Sequence, residues 1–216
     1  MIFTGSGNNP EVSANASGSA TFTISGSSLI VVLQNTTSPR TADAGNALTG
    51  VTFDVNTTSP TLTLNSTALT GGSAIWTSET SSNTSDPLDG SWTTTLGATP
   101  LGEYGVATTG FNGRFNGGSI SLGNSNPNYG IVAANSFDGT NVAFGGSQFP
   151  FIQDSLTFTF DITNGAGFTE GQIANVNLLF GTDGTGIVPG DPVPEPATLL
   201  LATCAVFVLG VCIRRR

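Results

Sequence analysis

Ala20-Thr21-Phe22-Thr23-Ile24-Ser25-Gly26-Ser27-Ser28-Leu29-Ile30-Val31-Val32-Leu33 carries the signal that decides the fold. Ala20, Phe22 and Ile24 share one face of a two-residue repeat. Ser25-Gly26-Ser27-Ser28 supplies a turn, and the apolar run 29–33 follows. The alternation runs from Val12 to Leu33, and with turn chemistry and β-branched residues it predicts a β-hairpin. Working outward, Leu48-Thr49-Gly50-Val51-Thr52-Phe53-Asp54-Val55 repeats the pattern, with Val51, Phe53 and Val55 expected inward. Thr61-Leu62-Thr63-Leu64 follows, its threonines suited to an outer strand face. Leu156-Thr157-Phe158-Thr159-Phe160-Asp161-Ile162 is the cleanest alternation in the chain, and residues 173–180 read as the last strand.

The middle is less regular. Trp76 and Trp92 bracket a loop, residues 77–90, rich in Asp, Ser, Asn and Pro and without periodicity. Short strands are expected at 103–106 and 111–115, with an Asn-Gly turn inside the second, and then at 119–122 and 129–132. Roughly ten strands with turn-rich spacing, and no amphipathic helix before Ala197, predict an all-β fold. The expected architecture is an antiparallel β-sandwich, jelly-roll-like, over residues 1–181, with a linker at 182–192.

Composition narrows the function. The chain has 216 residues, with 14 acidic against 5 basic side chains and no His. All five basic residues are Arg, and three of them are Arg214, Arg215 and Arg216. The remainder keeps only Arg40 and Arg114, which excludes the clustered cations that nucleic acid or an anionic membrane surface demands. Charged residues make up only 9 %, and Ser, Thr, Asn and Gly supply the polarity, as suits an exported protein. Both cysteines, Cys204 and Cys212, lie beyond residue 196, so the expected sandwich has no disulfide and depends on its core.

The last two dozen residues have a different character. Val193-Pro194-Glu195-Pro196 is held extended by its prolines, and the uncharged run 197–213, ATLLLATCAVFVLGVCI, follows. As a helix this run is about 26 Å long, near the short end of what spans a hydrocarbon core. Hydropathy alone also permits a buried core helix. Terminal placement, the Pro- and Gly-rich stretch before it and the three arginines after it favour a single C-terminal transmembrane helix. The arginines would stop it on the cytoplasmic side and leave the rest outside. Such a topology needs an export signal, which Met1-Ile2-Phe3-Thr4-Gly5-Ser6-Gly7 does not provide; a start assigned too far downstream is the expected cause.

Pro-Glu-Pro, a short apolar helix and a terminal Arg cluster in that order resemble the PEP-CTERM sorting signal of Gram-negative bacteria, over residues 193–216. The resemblance implies that an exosortase, a membrane-embedded cysteine transpeptidase-like enzyme, recognises the motif and cuts near it. It makes Pro194, Glu195 and Pro196 recognition residues of a substrate. It also implies a protein anchored in the membrane first and placed on the cell surface or in the extracellular matrix afterwards. More loosely, ATFTISGSSLIVVLQNTT, ALTGVTFDV, SLTFTFDIT and ANVNLLFGT resemble an ectodomain recurrent on exosortase-dependent surface proteins, with no activity to carry over.

Chemistry in the exterior part is sparse. Without His, Lys or Cys it has no Ser-His-Asp or Cys-His machinery, no Schiff-base lysine and no typical zinc site. Paired carboxylates remain, as in glycoside hydrolysis, and Glu79, Asp86, Asp89 and Glu103 fall near the tryptophans. The plainer reading is that these acids solvate a loop and the tryptophans are core. Trp76, Trp92 and Tyr104 are the candidate contacts for an extracellular polysaccharide. For calcium, Asp86-Pro87-Leu88-Asp89-Gly90, Phe137-Asp138-Gly139-Thr140 and Thr182-Asp183-Gly184-Thr185 lack the dense acidic spacing of known loops and read as turns. Asn-x-Ser/Thr sequons at Asn15, Asn35, Asn56, Asn65 and Asn83 follow from composition. The expectation is a non-enzymatic chain with no cofactor and no metal.

Overall fold

The computed structural model describes residues 1–56, 59–78, 80–84, 88, 91–99, 101–109, 128–137, 144 and 148–194. The predicted hairpin is there: β2 (Ala14–Ser25) pairs with β3 (Ser28–Asn35) in unbroken antiparallel register, Ser25 opposite Ser28. Gly26, first of the two loop residues, has φ +61°, a value that suits glycine and matches the twist of the strands it joins. Strands are numbered along the chain. One six-stranded sheet runs, edge to edge, β15 (Asp191–Val193), β1 (Ile2–Asn9), β2, β3, β12 (Ser155–Thr163), β5 (Thr61–Leu69).

The second sheet is built around β4 (Leu48–Val55), which pairs along one side with β13 (Ile173–Phe180), itself edged by β14 (Gly186–Pro189). The other side of β4 is shared. Gly50 to Phe53 pair with β9 (Gly102–Ala107), which carries β8 (Thr93–Thr99). Leu48 pairs with β10 (Ile131–Val132), which leads through β11 (Phe151–Gln153) and β6 (Ala74–Ser78) to β7 (Ser81–Asn83). Among the described residues all pairings are antiparallel except β10 with β11.

The two sheets share one apolar core. Phe22 of β2 meets Phe53 of β4 edge-on, ring centroids 5.1 Å apart, and Phe3 of β1 meets Phe22 at 5.7 Å. Phe22, Val31, Leu33, Val51, Phe158 and Leu178 are fully buried. The two-residue repeat puts one such side chain into the core at every second position, each stabilising by about 2 kcal/mol. A smaller cluster of Ala44, Ala47, Val132, Phe144 and Phe151 fills the end near β10.

Polar side chains tie the sheets together at that end. Asn9 donates to Gly45 O and Asn46 Oδ1, at 2.7 and 3.1 Å. Asn35 donates to Asn46 O and Ile131 O, at 3.0 and 2.8 Å, and accepts from the Thr37 amide. Asn46 donates to Asn15 O at 3.2 Å. All three asparagines are buried and paired, as burial of an amide requires.

The structure corrects two readings. Residues 182–192, expected as a linker, contain β14 and most of β15, and belong to both sheets. Gly190, whose amide donates to Val176 O at 2.8 Å, carries the chain from one sheet to the other. Strands of four and three residues with two prolines have no periodicity to read; the edges of β13 and β1 define them. The loop 77–90 likewise contains β7, paired with β6. Helical structure among the described residues is confined to short 3-10 turns such as Ala44–Asn46 and Glu170–Gln172, and no helix there is long and apolar enough to cross a membrane. The expected helix 197–213 and the strands at 111–115 and 119–122 lie outside the described residues.

Candidate functional site

The sorting tetrapeptide begins inside the fold. Val193 ends β15 and lies opposite Ile2, with Pro192 opposite Phe3 and Asp191 opposite Thr4. The direction of each amide follows from the neighbouring pair. The Met1 amine donates to Phe22 O at 2.7 Å and the Phe22 amide donates back to Met1 O at 2.8 Å. Met1 therefore faces β2, and strict alternation turns the Ile2 and Thr4 amides towards β15. Val193 and Asp191 face β1 in return, and Pro192 and Pro194 face outward. The open edge thus carries its prolines where an N–H would otherwise be unpaired.

Val193 is 39 % exposed and Ile2 42 %, the large exposed hydrophobics of the described residues, and they face each other across this pair. Pro194 is exposed. Glu195, Pro196, Arg214, Arg215 and Arg216 lie outside the described residues.

The candidate sugar contacts are not brought together on a surface. Trp92 is only 4 % exposed, its ring edge-on to Phe158 at 5.0 Å, so it is core and cannot stack on a sugar. Tyr104 is buried too. Its ring stacks on Phe53 at 5.6 Å, its hydroxyl donates to Pro60 O at 2.8 Å, and burial, reinforced by the Glu103 carboxylate, pushes its pKa up. Trp76 stays half-buried, one ring face stacked on Phe137 at 4.5 Å and its indole N–H donating to Gln153 Oε1 at 2.9 Å.

Of the four carboxylates considered for hydrolysis, Glu103 is described; its backbone amide donates to Asp54 Oδ1 at 2.8 Å. Glu79, Asp86 and Asp89 lie outside the described residues, as does Asp138. Thr182-Asp183-Gly184-Thr185 is the turn between β13 and β14. Asp183 Oδ1 accepts from the amide and hydroxyl of Thr185, both at 2.7 Å, and Gly184 has φ +81°. Glu11 binds the same turn, Oε2 accepting from the Thr182 and Asp183 amides at 2.8 and 3.3 Å. These oxygens are used by the backbone, and among the described residues no three His, Cys, Asp or Glu converge as metal ligands.

Sequence reasoning missed the link between signal and sheet. The usable clue was the spacing of Pro192, Pro194 and Pro196 at alternate positions, which gives an extended strand one edge without donors.

No curated protein and no solved structure matches the chain. The family model for the PEP-CTERM protein-sorting motif matches residues 192–216, beginning one residue before Val193 and therefore within β15. The chain, all-β over its described residues, carries a PEP-CTERM protein-sorting motif, the signal by which an exported protein is directed to an exosortase.

Proposed function

We propose that the chain is a non-enzymatic surface protein, exported, held in the membrane by the helix 197–213 and then processed by an exosortase near Pro194-Glu195-Pro196. Its two-sheet body, a jelly-roll-like β-sandwich in this reading, serves in the extracellular polymer matrix. The observation that carries the reading is the sorting motif at residues 192–216. Three residues, Pro194 to Pro196, separate the last strand from the apolar run, about 10 Å when extended. The sheet edge is then held close to the bilayer until cleavage. An exterior part without His, Lys or Cys supports a structural role.

The test is fractionation of cells expressing the full chain, with and without the host's exosortase. The expected result is release to the surface or medium only with the enzyme, and retention in the membrane when Pro194, Glu195 and Pro196 are all replaced by Ala. Equal release in both strains contradicts the proposal.

A carbohydrate-binding role is the second reading, and it now rests on Trp76, half-buried where Trp92 and Tyr104 are buried. Binding to matrix polysaccharide that disappears with Trp76→Ala, in a protein that still folds, supports it; no binding by the unaltered protein removes it.

A further inference from the structure

We propose that strand β15 is a clasp over the start of the sorting signal, and that the processing enzyme gains the motif by displacing β1 from Val193. This rests on the reading of residues 192–216 as a functional exosortase signal. The signal's first residues are doubly committed. Pro192 and Val193 belong to the matched motif and also to the ladder with β1. The N–H and C=O of Val193 point towards Ile2, whereas Pro192 and Pro194 offer the outer edge carbonyls but no N–H. An extended substrate is commonly read by an enzyme through backbone pairing along one edge, with side-chain pockets adding specificity. Here the one edge able both to donate and to accept is the edge that β1 holds.

The clasp is built to open. It is three residue pairs long, at the margin of the six-stranded sheet, and all of Asp191, Pro192 and Val193 are exposed. Short exposed pairs at a sheet margin open at far lower free energy than the strands behind them. Opening β15 leaves β1 paired with β2 over eight positions, so the body stays folded while the signal is taken. The same geometry makes processing report on folding: a chain whose β1 pairs wrongly with β15 presents the motif differently from a native one.

The experiment uses the full chain in the exosortase-positive host, with Cys204 and Cys212 replaced by Ser. Thr4 and Asp191 lie outside the matched motif, are both exposed, and form a pair that exchanges hydrogen bonds. Their Cα atoms are then about 5.5 Å apart, within disulfide reach. The Thr4→Cys/Asp191→Cys double variant should be processed about tenfold more slowly than either single variant, with reductant restoring the rate. Ile2→Pro, which deletes the N–H facing Val193, should speed processing. A bridged double variant cut as fast as the single variants overturns the clasp while leaving the sorting reading intact. Failure of the unlocked protein to be processed in any exosortase-dependent way overturns both.

Discussion

The strands β2, β3 and β12 and the end of the two sheets where Asn9, Asn35 and Asn46 meet are held by different physics. In the first region the chain repeats every two residues. Phe22, Val31 and Phe158 follow one another across adjacent strands in register, and each is fully buried. In the second, the strands are short, β10 has two residues, and the order comes from side-chain amides that cap backbone groups of other segments. Apolar burial is spread over many interchangeable contacts. The amide stitch is concentrated in three residues whose partners are fixed by geometry.

That difference can be broken from either side. Phe158→Ala removes a fully buried ring that packs on Trp92, and should lower stability by about 4 kcal/mol in equilibrium denaturation. Phe158→Leu should recover most of that loss, because the core asks for volume. Asn35→Ala leaves Asn46 O, Ile131 O and the Thr37 amide without their partner, for about 3 kcal/mol. Here the near-isosteric Asn35→Leu should rescue nothing, and recovery by Leu would show that packing holds this end as well.

A third change tests how the β13–β14 turn is seated. Gly181 has φ +70°, and a Cβ there would stand 1.9 Å from Glu11 Oε2 and 2.8 Å from Gly45 O. Gly181→Ala should therefore cost about 2 kcal/mol, through both backbone strain and the displaced carboxylate. Glu11→Ala in the same background should relieve part of it, a coupling measurable as a double-mutant cycle.

The smallest effect concerns Glu170, whose carboxylate accepts from the Ile24 amide at 2.6 Å. That bond, above all, holds its pKa below the ordinary carboxylate value, the Met1 amine adding a lesser attraction. A lowered folded-state pKa means the contribution is complete above the unfolded-state pKa and fades as pH falls through the folded-state one. Glu170→Gln should cost under about 1 kcal/mol at neutral pH and flatten part of the acid limb of the stability curve.

The regular region was legible because its periodicity is local. Residues 12–33, 48–55, 156–162 and 173–180 all form strands within a residue or two of expectation, the first of them as a hairpin. β1 was not legible: Gly5-Ser6-Gly7-Asn8-Asn9 carries no alternation, and it is a strand because β2 and β15 flank it. Gly5 has its own reason, since a Cβ there would meet Pro189 O at 2.5 Å as β14 passes over. Asn35 and Asn46 looked like polar residues of a Ser/Thr/Asn-rich chain, and only long-range contacts reveal them as stitches.

At the candidate site the sequence identified the motif but not its attachment. The tail's proline, apolar and arginine order is a linear signal, read without any fold. That Val193 also closes a sheet is a tertiary fact, invisible until β1 is placed beside it. Two of the aromatic candidates illustrate the converse: Trp92 and Tyr104 sit in or beside an irregular stretch of sequence, yet their rings turn inward onto Phe158 and Phe53.

In the proposed function the body and the sorting signal are made in one piece and separated by an exosortase beyond β15. The most direct measurement is the intact mass of the native protein recovered from the cell surface and medium, with and without that enzyme. The expected product, with the enzyme, is a chain that keeps Asp191-Pro192-Val193 and lacks the apolar run and Arg214-Arg215-Arg216. A chain continuing through Arg216 in the membranes of both strains would contradict it.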